Sequence, residues 1–87
     1  MIEISVPTQQ ILQTIRITQG PDEAVLPVEI TGASLDRGIV RYQAWMDGQE
    51  RILEAKVEAV LSFLNVTSGR IVDVSFDPAG LVSFALA

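Results

Sequence analysis

The side chains able to do chemistry are carboxylates, hydroxyls, five arginines and one lysine, because these 87 residues include no histidine and no cysteine. That removes the commonest general base, every Ser-His or Cys-His couple, the thiolate nucleophile and most transition-metal sites. Carboxylates remain. Glu50, Glu54 and Glu58 recur at i, i+4 and i+8, which on a helix stacks them into one column. Two carboxylates in such a column can share a proton or hold a hard cation such as calcium or magnesium. The same spacing equally describes the solvated face of an amphipathic helix, since it falls in line with Ser62 and Asn65. Like charges at i, i+4 destabilise an isolated helix by about 0.2–0.5 kcal/mol per pair, so a stripe kept at that cost suits a docking surface.

Lys56, read on the same helix, projects between Ile52, Val60 and Phe63 and is expected to snorkel past the packed face. Asp73 and Asp77 flank one strand but fall short of the six to eight oxygen ligands that calcium takes. No metal and no cofactor is expected.

Trp45 is the single tryptophan, and strand alternation puts it on the face that carries Arg41 and Gln43. Either a helix covers that face and the indole is core, with Arg41 laid against the ring, or the face meets another protein. Large aromatics beside arginine are enriched at protein interfaces. Trp45, Arg41, Glu50, Glu54 and Glu58 are therefore the candidate partner-binding residues.

Composition narrows the partner. Six basic against eleven acidic residues give a net charge of −5, and the basic ones are scattered, which leaves no electrostatic footprint for nucleic acid or an anionic membrane. A basic or neutral protein fits better. No run approaches the ~18–20 apolar residues of a membrane span, and the absence of cysteine fits a reducing compartment, so a cytoplasmic location is expected.

These residues are positioned by short elements between regular Pro and Gly punctuation. A single domain over 1–87 is expected, because a chain of this size buries only about 60–65% of its unfolded surface and has room for one core. Ile2, Ile4 and Val6 alternate up to Pro7 as a strand. Over residues 9–19 a helix behind Thr8 competes with the alternating, β-branched Thr14-Ile15-Arg16-Ile17-Thr18, and the strand is preferred. A turn at Gly20-Pro21-Asp22-Glu23 leads to a strand from Val28 until Gly32. After a turn at Leu35-Asp36-Arg37-Gly38, residues 39–46 alternate, with Val40, Tyr42, Ala44 and Met46 facing inward.

Asp47-Gly48 suits a tight hairpin, while Asp47 followed by Glu50 suits a capping box. Of the sixteen residues 49–64, eleven are strong helix formers, and Asn65 supplies a stop, so the principal helix is placed there. Against it, Leu53, Ala55, Val57, Ala59, Leu61 and Phe63 also alternate as in a half-buried strand. The clearest local signal is Asp77-Pro78-Ala79-Gly80, a type I turn joining strands at 71–76 and 81–86 into a hairpin.

The expected fold is α+β: a mainly antiparallel sheet of five or six strands with one principal helix at 49–64 packed on one face, or alternatively an all-β sandwich or small barrel. The expected core is Ile4, Val6, Ile15, Ile17, Val28, Ile30, Val40, Tyr42, Val72, Val74, Phe76, Val82 and Phe84, joined by Leu53, Val57, Val60, Leu61 and Leu64. The expected occupation is contact, not turnover: a non-catalytic protein-binding module, adaptor or inhibitor-like. The alternative is a self-assembling subunit, a homodimer or small oligomer held through the uncharged terminal strand at Leu81, Val82, Phe84 and Leu86.

Overall fold

The computed structural model describes residues 2–19, 29–46 and 48–87, with the side chains of residues 14–19 excepted. The expected turn at 20–23, Val28, Asp47 and the core roles of Ile15 and Ile17 lie outside what it describes. Among the described residues six strands and two helices follow one another: β1 (Ile2–Pro7), α1 (Thr8–Gln19), β2 (Glu29–Asp36), β3 (Ile39–Met46), β4 (Gln49–Lys56), α2 (Val57–Phe63), β5 (Ile71–Asp77) and β6 (Leu81–Leu86). The strands form two antiparallel sheets of three, ordered β1-β6-β5 and β2-β3-β4. The sheets meet where β2 runs beside β5, and no ladder of hydrogen bonds between described residues crosses that seam. The chain is thus mainly antiparallel sheet with two short helices, not a sheet under one long helix.

Both sheets contribute to one core. Inward-facing rows such as Ile4–Phe84–Val74 and Ala33–Tyr42–Leu53 run across the strands. Phe84, Val40 and Val82 are fully buried. Helix α1 packs against β1 and β2, and α2 against β3 and β4.

Two segments correct the sequence expectation. Residues 8–19 form a helix where a strand was preferred. Ile11 and Leu12 are adjacent and both buried, which a helix achieves and a strand with one covered face does not. The first backbone N–H, of Thr8, is taken by the carbonyl of Gly80 at 3.0 Å, anchoring the helix start to the β5–β6 turn. The expected helix at 49–64 is instead strand β4 followed by the seven residues of α2. Strand β4 pairs with β3 along its whole length, from Met46 opposite Gln49 to Ile39 opposite Lys56. The tertiary pairing outweighs the helix-forming composition.

Helix α2 ends where Asn65 was expected to stop it. Asn65 takes a left-handed φ of 59°, its N–H donates to Ser62 O at 3.1 Å, and the Val66 N–H donates to Leu61 O at 2.9 Å, the Schellman closure. The turn at 77–80 forms as read: the Gly80 N–H donates to Asp77 O and the Ala79 N–H to Asp77 Oδ1, both at 2.9 Å. Val72 leaves the expected core at 37% exposed, because a bulge between Ile71 and Asp73 turns Ile71 inward in its place.

Candidate functional site

Because successive strand residues face opposite ways, covering the inner side of β2-β3-β4 leaves the other side to solvent. Register fills that outer face in rows: Glu29–Trp45–Glu50, Gly32–Gln43–Ile52, Ser34–Arg41–Glu54 and Asp36–Ile39–Lys56. Trp45 is 43% exposed and Ile52 60%. The indole and a branched aliphatic therefore stand on a flat face among charges, and no described element covers them.

Arg41 organises the charge. Its Nη1 lies 3.1 Å from Asp36 Oδ2 and its Nε donates to Glu54 Oε2 at 3.0 Å, so one guanidinium ties the strands on either side of β3. Its fork geometry suits two carboxylates at once. Since these groups are close to half exposed, the pairs hold side-chain orientation more than they stabilise the fold. At the other end, a bulge between Ile30 and Gly32 turns Thr31 outward, within hydrogen-bonding reach of the Gln43 carbonyl at 3.3 Å and of Glu50 Oε2 at 3.4 Å. Gly32 has a specific duty in the next row: a Cβ there would overlap the side chain of Gln43, which lies across it.

The structure places four of the five candidate partner-binding residues on one face, as the cross-strand pairs Trp45–Glu50 and Arg41–Glu54 with the Gln43–Ile52 row between, though not on the element that was expected to carry the glutamates. Glu50 and Glu54 share a face as i, i+4 on a strand instead of a helix. Glu58 stands apart in the first turn of α2, beside an open hollow of about 380 Å³ that Leu61, Ser62 and Asn65 also line. Lys56 ends β4 exposed on the outer face, not inside an apolar arc. Asp36, Thr31 and Glu29 join the face without having been singled out. The one signal for Asp36 was its place just before the Arg37-Gly38 turn, which sets it opposite Ile39 and diagonal to Arg41.

The terminal segment is placed in the middle of its sheet. Strand β6 pairs with β1 on one side and β5 on the other, and Val82, Phe84 and Leu86 are buried, with Leu81 left partly exposed. The uncharged composition that suggested self-association at Leu81, Val82, Phe84 and Leu86 reflects this interior position, and the strand has no free edge.

Among the described residues no group of three acidic side chains is placed to hold a metal ion, and no helix is long and apolar enough to cross a membrane. Tyr42, buried on the inner face of β3, has its phenol pushed up to about 12 from 10.0 by loss of solvent. Comparison with protein-family models, with curated proteins and with solved structures finds no match for this chain.

Proposed function

We propose that this protein is a non-catalytic binding module, adaptor or inhibitor-like, that acts by laying the outer face of β2-β3-β4 on another protein. The observation that carries the reading is the exposed Trp45, with Glu50 opposite it and Ile52 one row on, sharing with the paired Arg41 and Glu54 a face left open by both helices. A rigid aromatic on a sheet gives contact area at little entropic cost, and oriented charges around it supply register. Glu29, Asp36, Glu50 and Glu54 outnumber Arg41 and Lys56 there, which suits a basic or neutral partner protein. Among the described residues Glu50 and Glu54 stand exposed on an open sheet face, so contact suits them better than acid–base catalysis. The thiol-free composition suits a cytoplasmic setting.

Replacing Trp45 with Ala and reversing Glu54 to Lys, on tagged protein used to capture partners from its native host, tests this reading. The expected outcome is loss of the captured protein and, for the purified pair, affinity weaker by about 2 kcal/mol, roughly thirtyfold. The single tryptophan also reports directly: its emission should shift when the partner is added. Capture unchanged by both substitutions overturns the proposal.

A further inference from the structure

The edge strand β4 is self-complementary, and we propose that it pairs with β4 of a second copy, joining two β2-β3-β4 sheets into one of six strands. The Val57 N–H donates to Gly38 O at 3.2 Å, so residue 57 turns its backbone groups toward β3. Antiparallel ladders alternate, hence residues 49, 51, 53 and 55 do the same, and Glu50, Ile52 and Glu54 direct their N–H and C=O groups away from β3, as does the Lys56 N–H, while the Lys56 C=O serves the first turn of α2. No other described strand pairs with that edge. The same four residues carry the outward, exposed side chains.

A second copy related by a two-fold axis through the sheet must meet these even-numbered residues with its own. The register that overlaps all four sets Glu50 opposite Lys56 of the second copy, twice, and Ile52 opposite Glu54 of the second copy, with Leu53 beside the axis facing its own equivalent. Sliding by one step either way loses overlap and sets acid opposite acid: Glu50 opposite Glu54, or Glu54 opposite Glu54. Charged edges ordinarily keep strands apart. Here they reject every neighbouring register and favour one, since opposite charges directly across a ladder attract and like charges repel.

Sedimentation of the intact chain from low to high micromolar concentration is expected to show a monomer–dimer equilibrium. Glu50→Lys or Lys56→Glu alone should weaken the dimer roughly tenfold by setting like charges opposite one another twice, and the two together should restore it. Because the chain lacks cysteine, Leu53→Cys should form an intermolecular disulfide on mild oxidation. Its Cα atoms would sit about 4.5 Å apart at a non-hydrogen-bonded pair, and Ile52→Cys should stay reduced. A monomer at every concentration overturns the inference, and so does a dimer indifferent to Glu50→Lys or one that cross-links at 52 and not at 53. Trp45→Ala should leave the dimer intact, so loss of partner capture and loss of the dimer are separate results.

Discussion

The two sheets bury alike and expose unlike. Inward, each presents apolar rows to the same core, Ile4–Phe84–Val74 from one and Ala33–Tyr42–Leu53 from the other. Outward, β1-β6-β5 shows a row of three serines, Ser5–Ser83–Ser75, with Ser5 and Ser83 hydroxyls 2.9 Å apart, between the rows Glu3–Ala85–Asp73 and Pro7–Leu81–Asp77. The corresponding side of β2-β3-β4 shows Trp45, Arg41, Ile52 and four carboxylates. Small hydroxyls and separated carboxylates suffice for a solvated sheet, and the large apolar side chain in those rows, Leu81, is less exposed than either Trp45 or Ile52. An exposed indole on the same face as a doubly paired guanidinium is more than solvation requires, and that is why this face is the one proposed to bind.

The contrast can be broken from the inside first. Phe84→Ala removes a ring that is 0% exposed from the centre of its sheet and is expected to cost about 3–5 kcal/mol in urea or thermal unfolding. A cost below about 1 kcal/mol would mean that the core of this sheet is not closed.

Next comes Tyr42, which tests the closure of the other sheet through pH. Its phenol ionises near 10.0 when unfolded and at about 12 when folded. Below pH 10 both states are protonated and stability is flat. Between pH 10 and pH 12 only the unfolded state ionises, so unfolding becomes easier by about 2–3 kcal/mol. In Tyr42→Phe this part of the alkaline loss should vanish, and an unchanged profile would show that the inner face of β3 admits water.

The smallest effect belongs outside. Ser83→Ala on one outer face and Ile52→Ser on the other should each move stability by no more than about 0.5 kcal/mol. A larger loss at Ile52 would show that the outer face helps to hold the fold.

Strand β3 was legible because its alternation runs unbroken between two turns, and that alternation alone sets Trp45 and Arg41 outward and Tyr42 inward. Local chemistry also sufficed at Asp77-Pro78-Ala79-Gly80 and at Asn65, where the dihedral demand and its hydrogen-bonded answer lie within a few residues. Strand β4 was only half legible: the alternation of Leu53 and Ala55 offered a strand, but the helix-forming composition of 49–64 outweighed it. Its inward positions Gln49 and Arg51 remain exposed beyond the covered part of the sheet, so its composition is that of a solvated segment and resembles a helix. What makes it a strand is β3, and pairing between segments is not written in the periodicity of either. The same reason hid Asp36 and Thr31 from the site: only the β2–β3 register carries them to Arg41 and Glu50. Glu58 was included through a helical column that the chain does not build.

The origin of each sheet along the chain has a consequence for when each can form. Strands β2, β3 and β4 are successive hairpins within residues 29–56, whereas β1 must find β6 across most of the molecule, as Ser5 and Ser83, 78 positions apart, illustrate. Closing so long a loop costs entropy before any contact repays it. The meander that displays Trp45 is therefore expected to condense early and the β1–β6 ladder late, so the surface proposed for recognition would be drawn from the segment that depends least on long-range pairing.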